Sequence, residues 1–451
     1  MVRMKGGAPA LAVAAAETLQ APSSRLVITG RQGPSASGPV RVKRGDRVHA
    51  GQVLFGPEPG EDGAGLVPVH SPVSGKVVDV QPAPGPDGEM VPAVTVEVDE
   101  LGERVEPLAR PWEPTQPGQW PAAELRRFLR TAGVDGAACP GQGPLYERLE
   151  QGLDGGVLVV NAVGCEPGLP SEMLVAGAYP QAALLGAAAL GRAAGASRVL
   201  VAVHRGGPAD EALTRALAEQ AELRTGSMPV EIVRLADVDW FWVPVLLARE
   251  ALAAAGIRRR GGRSGEPSPP MMVESAATAV AAGEALLEGW PVTERLVTVS
   301  EQGRLRAVRV PIGTPVASLL QGHGEQETSE TPVLVLVGGP LQGACVPDLQ
   351  VPVTKSVSAI TAMPPAMHFR PEAACIRCGR CVEACPVGLL PLYIARAAAA
   401  GQMAEARALG ARECLECGAC TVLCPSYRPL LQWIRLAKYG RARRPGNGGD
   451  L

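Results

Sequence analysis

The chain has 451 residues, which predicts roughly three or four domains at ~100–200 residues per domain. Its formal net charge of -2 excludes the basic surface by which proteins bind nucleic acid. No run approaches the ~20 consecutive apolar residues that a membrane-spanning helix needs, so we expect no transmembrane helix. The N-terminus also lacks the apolar core of a signal peptide, so we expect a cytoplasmic protein with reduced cysteines.

Residues 1–120 predict a small β-domain with a linker behind it. Apolar and polar residues alternate around two glycine turns in residues 40–55, and residues 70–80 repeat this pattern of short strands. The two segments predict the halves of a β-sandwich of the biotinyl or lipoyl type. Lys76 stands where carrier domains bear a modified lysine, but its neighbours differ from theirs, so we predict an exposed, unmodified lysine. Residues 82–120 are rich in Pro and Gly and predict the linker.

Residues 121–290 predict an α/β domain. Apolar strands alternate with helices, which favours a largely parallel sheet with helices on its faces. The predicted strands are 156–161, 198–203 and 230–234, and the predicted helices are 122–131, 182–194, 209–222 and 276–287. Glu166 follows the first strand, and ligands bind at the carboxyl ends of strands in open α/β sheets. We therefore predict that Glu166 contacts a cofactor, with a solvated loop acid as the alternative.

Residues 291–365 predict a second, smaller domain that resembles a β-grasp. Short strands surround one short helix in this part of the chain. The predicted elements are a hairpin of 295–299 and 304–310, a helix at 316–320 and a strand at 333–337. Residues 366–440 contain most of the cysteines, and residues 441–451 predict a basic tail.

Eight of the eleven cysteines fall in two matched runs. The first run is Cys375, Cys378, Cys381 and Cys385, and the second is Cys414, Cys417, Cys420 and Cys424. Each has the C-x2-C-x2-C-x3-C-P spacing of bacterial two-cluster ferredoxins. Eight thiolates satisfy two [4Fe–4S] clusters with none left over, so the runs predict single-electron transfer. Zinc sites, which take four ligands each, and structural cysteines are the alternatives.

The spacing also predicts which cysteines share a cluster. Three cysteines spaced by two residues curl around one cubane, while the fourth, followed by proline, points to the other cluster. The first cluster is therefore assigned Cys375, Cys378, Cys381 and Cys424. The second is assigned Cys414, Cys417, Cys420 and Cys385. Between the runs, residues 389–400 and 403–409 predict two helices, which indicates a ferredoxin-type module docked on a larger body.

The remaining cysteines and the histidines predict no further chemistry. Cys139, Cys165 and Cys345 are predicted to be small buried packing residues, with a redox or flavin-contacting thiol as the alternative for Cys165. The five histidines are scattered and show no paired spacing. No Walker A, G-x-S-x-G or paired-carboxylate motif stands out, so we predict no catalytic residue.

A series of short motifs, taken in chain order, resembles one known family. The motifs are residues 42–46, 70–75, 161–167, 310–315, 338–343, 352–355 and 425–430. The two cysteine runs lie between the last two of these motifs. Their order resembles that of the C subunit of the Rnf electron-transport complex, and cobalamin reductases share this domain order. The α/β and β-grasp core of the family is similar to the flavin-carrying subunit of respiratory complex I. The resemblance covers nearly the whole chain.

The resemblance implies a multidomain α/β and α+β architecture: a barrel-sandwich hybrid, a flavin-type α/β domain, a β-grasp (SLBB-like) domain and a helical two-cluster ferredoxin domain. It also implies FMN as a cofactor and NADH as a substrate. In the family, a glycine-rich loop holds the FMN phosphate, because glycines let backbone N–H groups approach an anion closely. The matching residues are Gly136, Asn161 and Glu166. The implied partners are membrane subunits of an electron-transport complex, with this chain peripheral on the inner face of the cell membrane.

The chain departs from the family pattern at the implied flavin site. The loop at 132–141 has Asp135 and few glycines where the family has several, and Gly164 replaces an acidic residue before Glu166. Three functions therefore stay open. The first is an Rnf-like electron-transfer subunit fed by NADH through FMN. The second is a soluble flavin-dependent enzyme of the cobalamin-reductase kind, and the third is an iron–sulfur relay or scaffold without flavin.

Overall fold

The computed structural model describes two compact units. The larger is Ala8–Met363, and the smaller is Pro364–Leu451 with Met1–Gly7. The residues described are 17–18, 24–61, 63, 65–99, 102–108, 120–136, 143–164, 166, 169–220, 223, 228–235, 243–257, 269–301, 304–320, 334–363 and 371–440. Within them, no single helix is long and apolar enough to cross a membrane.

The larger unit begins with the predicted β-sandwich. The first described strand of the chain, β1 Glu17–Thr18, pairs with a later sheet. The strands of the sandwich are β2 Arg25–Thr29, β3 Arg47–Val48, β4 Val53–Phe55, β5 Val69–His70, β6 Gly75–Val80, β7 Ala83–Pro84, β8 Met90–Val91 and β9 Ala93–Val98. An antiparallel sheet of order β2-β9-β6-β3 is accompanied by the pairs β4-β5 and β7-β8. Leu26, Ile28, Leu54, Phe55 and Val77 form its core. Lys76 is exposed, as predicted.

Strand β9 corrects the prediction of a linker over residues 82–120. It lies inside the sheet and pairs with both β2 and β6. Its sequence alternates, and Val94 and Val96 are fully buried in the sandwich core. The Pro and Gly residues that suggested a linker belong in part to the turn of the β7-β8 pair, directly before β9.

The α/β part follows, with a parallel sheet of order β12-β11-β10-β13. Its elements are α1 Ala122–Thr131, α2 Leu145–Gln151, β10 Val157–Ala162, α3 Ser171–Ala178, α4 Pro180–Ala194, β11 Arg198–His204, α5 Pro208–Glu219, β12 Val230–Leu235, α6 Pro244–Ala254, β13 Met271–Ser275 and α7 Ala276–Glu288. The predicted strands and helices are all present. The sequence did not predict α2, α3, α6 or β13. Strand β13 pairs with β10 on the side opposite β11.

Helices cover both faces of this sheet because the strands are apolar on both sides. Leu158 and Val160 point into the core beneath α3, α4, α5 and α7, while Val157 and Val159 pack with α6 on the other face. Helices α4 and α7 approach closely at Gly186, where an added Cβ would lie 1.8 Å from the Ala279 carbonyl oxygen. This contact seats α7 against the sheet, and so holds β13 next to β10.

The larger unit ends with a mixed six-stranded sheet of order β1-β15-β14-β18-β16-β17. Its strands are β14 Glu294–Glu301, β15 Arg304–Pro311, β16 Leu334–Val337, β17 Ala344–Cys345 and β18 Ala359–Met363. The predicted hairpin is the antiparallel pair β14-β15. The helix predicted at 316–320 is a short 3-10 helix, Val316–Leu319.

The smaller unit is helical across residues 371–440, all of which the structure describes. Its helices are α8 Arg380–Glu383, α9 Pro391–Ala399, α10 Met403–Ala408, α11 Ala419–Val422 and α12 Leu430–Tyr439, with a 3-10 helix at Ala411–Glu413. Helices α9 and α10 are the two helices predicted between the cysteine runs. Their apolar faces pack with α12 around Ile394, Ala398, Ala406 and Ile434, and Cys420 reaches the same core.

Candidate functional site

The two cysteine runs adopt the same local backbone shape. Gly379 and Gly418 precede α8 and α11 with φ of 77° and 75°. Arg377 and Glu416, one residue before the second cysteine of each run, also have left-handed φ values of 57° and 56°. Each of these two residues donates its backbone N–H to the sulfur of the first cysteine at 3.4 Å. Such bonds favour the thiolate form that an iron cluster requires.

The second predicted ligand set lines a single pocket. Cys385, from the first run, lies there with Cys414, Cys417 and Cys420. Apolar side chains complete the wall, namely Val387, Leu389, Leu415, Leu431 and Ile434. The Cys385 sulfur also accepts a backbone N–H from Leu389 at 3.2 Å. The crossover of the fourth cysteine is therefore present in the fold, and the arrangement supports the predicted assignment of ligands.

The first predicted set lies nearer the surface. Cys375 and Cys378 are exposed, and Cys381 and Cys424 are partly buried. Cys424 is close enough to Cys381 to raise its pKa, after the larger effect of burial. The second run thus supplies its last cysteine to the neighbourhood of the first.

The electrostatics of the pocket fit an iron–sulfur cluster. Burial, followed by the neighbouring cysteines, raises the pKa of Cys420 to about 12. Burial likewise raises the pKa of Cys417 to about 11. A bound cation such as iron lowers the pKa of the thiols that ligate it, so iron would offset the effect of burial and crowding here. Among the described residues, no three His, Cys, Asp or Glu side chains lie close enough together to bind a single metal ion. A cubane needs a wider spacing between its cysteine sulfurs, because each sulfur binds a different iron.

The second candidate region is the carboxyl edge of the parallel sheet, between β10 and β13. Strands β11 and β12 lie on one side of β10, and β13 lies on the other, so the strand order reverses at β10. In open α/β folds, ligands bind at the carboxyl ends of the strands at such a reversal. The pairing places Asn161 opposite Ser275, and Glu274 opposite Val160. The residues predicted to hold a cofactor therefore lie on or near this edge.

The predicted cofactor residues at this edge are engaged with the protein's own backbone. Asn161 closes a turn: its Nδ2 donates to the Gly164 carbonyl at 2.9 Å, and its Oδ1 accepts from Val163 N at 2.9 Å. The buried Glu166 carboxylate accepts the backbone N–H groups of Leu341 and Gln342 at 2.7 and 2.9 Å. Both side chains shape loops, and Glu166 ties the 338–343 loop to the end of β10.

Gly136 is the third predicted cofactor residue. Its backbone N–H donates to Asp135 Oδ1 at 2.8 Å, and Ser35 Oγ donates to the same oxygen at 2.7 Å. Asp135 is buried, and burial raises the pKa of this carboxyl. A carboxylate thus takes the backbone donor that a glycine-rich loop would offer to a phosphate.

A second buried acid faces the same loop. Glu274 forms an ion pair with Arg148, whose guanidinium would lie 3.2 Å from a Cβ added at Gly136. Burial, partly offset by Arg148, raises the pKa of Glu274 to about 7. Two carboxyl groups and one arginine do not fit a dianionic phosphate, so the described part of this edge does not fit FMN.

Burial was predicted for the three cysteines outside the runs, and the structure describes one of them. Cys345, predicted to be buried, is exposed on β17, so that prediction is wrong. Its strand lies at the edge of the sheet, where one side chain in two faces solvent. Cys139 and Cys165 lie outside the described residues.

Sequence reasoning missed a buried polar junction within the larger unit. Lys355 Nζ donates to the Pro68 and Gly133 carbonyls at 3.0 and 2.7 Å, and so joins the last sheet to the β-sandwich and the α/β part. Burial lowers the pKa of Lys355 to about 8, while nearby Asp135 raises it. Burial, then Lys355, holds the pKa of His70 well below its usual range. His70 and Lys355 lie in two of the motifs that resemble the family, 70–75 and 352–355, and only this membership marked them in the sequence.

We expect Glu274 to make the stability of the larger unit depend on pH. Its pKa is about 7 in the folded state against an ordinary 4.5. The folded state therefore keeps a proton that the unfolded chain releases in this window. The free energy of unfolding should fall as pH rises from about 4.5 to 7, by up to about 3.5 kcal/mol at ~1.4 kcal/mol per pKa unit.

Urea unfolding followed by tryptophan fluorescence measures this effect, because five of the six tryptophans lie in the larger unit. Glu274→Gln has no carboxyl to titrate, so its stability should lose less over the same pH range than that of the unchanged chain. Other titrating groups cancel in this difference. Identical pH slopes for the two proteins would contradict the assignment.

Comparisons with known proteins agree with the motif order. Residues 13–101 match the RnfC barrel sandwich hybrid domain, and residues 374–427 match the 4Fe-4S dicluster domain. The chain is 31% identical to the C subunit of the ion-translocating oxidoreductase complex of Erwinia tasmaniensis over 423 residues, which is 92% of this chain and 50% of that protein. The same subunit of Cronobacter sakazakii is 30% identical over 81% of this chain and 45% of that protein.

Among solved structures, the chain is similar to an NAD+-reducing [NiFe]-hydrogenase in the air-oxidized state, with a TM-score of 0.44 and 15% identity over 70% of this chain and 63% of that one. The chain spans about half the length of the curated relatives it matches. The resemblance that the motifs predicted is confirmed: over most of its length this chain is similar to the C subunit of ion-translocating oxidoreductase complexes, the RnfC family.

Proposed function

We propose that this chain is an electron-transfer subunit whose two [4Fe–4S] clusters pass electrons to a membrane redox complex of the Rnf kind. The observation that carries the proposal is the pocket in which Cys385 joins Cys414, Cys417 and Cys420. The match to the dicluster domain and the similarity to the RnfC family support it. The proposed partners are membrane subunits of that complex, with this chain peripheral on the inner face of the membrane.

When bound, each cluster would supply one-electron redox chemistry. The cysteines would hold it, and the backbone N–H groups of Arg377, Leu389 and Glu416 would stabilise negative charge on the sulfurs. Apolar side chains around the second set, such as Leu431 and Ile434, would keep water away. No proton transfer by a side chain is needed for these steps.

The electron source divides the proposal into two forms. The resemblance implies NADH as donor through FMN on the α/β domain. The second form is an iron–sulfur relay without flavin. Asp135 and Glu274 favour it because both place carboxyl groups beside Gly136, in the loop that the resemblance assigns to the phosphate. We therefore propose the relay, with electrons arriving from another subunit.

Anaerobic purification, followed by analysis of iron, sulfide and flavin, tests both the presence of the two clusters and the absence of flavin. We expect about eight iron and eight sulfide per chain, since each cubane holds four of each, and no stoichiometric FMN. Iron close to zero after anaerobic reconstitution would overturn electron transfer itself. Stoichiometric FMN with reduction of the clusters by NADH would overturn the relay and restore the flavin-fed form.

A further inference from the structure

The two cysteine loops have equal spacing but unequal surroundings. In the second loop, Cys417 and Cys420 are 8% and 7% exposed, whereas Cys375 and Cys378 of the first loop are exposed. Helix α12 causes much of the difference, because Leu431 and Ile434 on this helix line the pocket of the second set. A cluster held there would lie in an apolar environment.

Glu416 fastens α12 to the second loop. Its buried carboxylate accepts hydrogen bonds from Arg435 Nε at 2.9 Å and Lys438 Nζ at 2.8 Å, and Tyr439 donates to it as well. Lys438 Nζ also donates to the Cys414 carbonyl at 2.8 Å. The helix thus contacts the loop through both a side chain and the backbone.

The first loop has the opposite charge at the matching position. Arg377 has the same left-handed backbone and the same bond to a cysteine sulfur as Glu416, but its side chain is exposed to solvent. Water screens an exposed charge, so Arg377 acts only weakly on a neighbouring cluster. A charge on the buried Glu416 acts through a lower dielectric and is felt more strongly.

We propose that Glu416 is a positioning residue that also tunes the second cluster, and that burial gives this cluster the lower reduction potential of the two. The inference rests on the proposed function, because it requires both clusters. A cubane with four thiolates gains a further negative charge on reduction, and an apolar site disfavours the more highly charged form. Electrons would then pass from the buried second cluster to the exposed first one.

The charges around Glu416 predict shifts of opposite sign. Glu416→Gln removes a negative charge and leaves Arg435 and Lys438 uncompensated, so the potential of the second cluster should rise. Lys438→Gln removes a positive charge next to Cys414, so the same potential should fall. A purely structural role would weaken cluster retention in both variants and would not shift the potential in opposite directions.

The experiment is an anaerobic redox titration of the full-length protein, followed by EPR spectroscopy. A soluble dysprosium chelate identifies the exposed cluster, because it relaxes the signal of that cluster more strongly. In the unchanged chain we expect the electron to favour the exposed cluster at least tenfold, which is ~59 mV for a one-electron couple. Arg377→Gln is the matched control, and its shift should be smaller than that of Glu416→Gln and confined to the exposed cluster.

Equal potentials for the two clusters, or a lower potential for the exposed one, would overturn the inference. So would shifts of the same sign in Glu416→Gln and Lys438→Gln. If Glu416→Gln does not fold, Lys438→Gln and the unchanged chain still decide the matter. Failure to find two clusters in the unchanged chain would instead count against the proposed function.

Discussion

Replacing Cys385 with alanine is expected to remove the second cluster and spare the first, although Cys385 belongs to the first run. Its sulfur lies in the pocket of Cys414, Cys417 and Cys420, so its loss leaves three ligands for a cubane that needs four. Iron should fall from about eight to about four per chain, since each cubane holds four. Iron and sulfide analysis with EPR spectroscopy of the anaerobically reconstituted protein measures the loss.

Two variants serve as controls for Cys385→Ala. Cys424→Ala should remove the first cluster instead, because Cys424 lies beside Cys381. Cys345→Ala should retain both clusters, because Cys345 lies on β17 in the larger unit. The dysprosium chelate again distinguishes the clusters. If Cys385→Ala lost the exposed cluster and kept the buried one, the crossed assignment of ligands would be wrong.

Replacing Glu166 with alanine should lower the free energy of unfolding of the larger unit by roughly 3–5 kcal/mol. The substitution leaves the N–H groups of Leu341 and Gln342 without their charged acceptor, and hydrogen bonds to charged groups contribute about 1.5–3 kcal/mol each. Urea unfolding followed by tryptophan fluorescence measures the change. This result would mark Glu166 as a residue that holds the 338–343 loop.

The exposed Glu106 offers a control for the loss of one carboxylate. Glu106→Ala should change stability by no more than about 0.5 kcal/mol. If Glu166→Ala were equally neutral, the hydrogen bonds to the loop would not be what holds Glu166 in place. The predicted role in contacting a cofactor would then regain weight.

Local signals in the sequence were read successfully where the chemistry itself is local. The cysteine spacing, the helices α9 and α10 between the runs, and the hairpin β14-β15 all depend on residues a few positions apart. Strand β13 was missed because it has only five residues and ends in two polar ones. Helix α6 was missed because its short stretch is rich in alanine and shows no clear period. Strand β9 was missed because the Pro and Gly residues before it suggested a linker, whereas its pairing with β2 and β6 depends on distant residues.

The sequence by itself determined the number and kind of candidate clusters, because eight thiols at ferredoxin spacing leave few alternatives. Only the tertiary structure decided that the two loops are unequal, because burial of Cys417 and Cys420 depends on α12 folding back over the second loop. It likewise decided that Asn161, Gly136 and Glu166 form hydrogen bonds within the protein itself. Spacing specifies which atoms can bind iron, whereas long-range packing sets the dielectric and the charges around them.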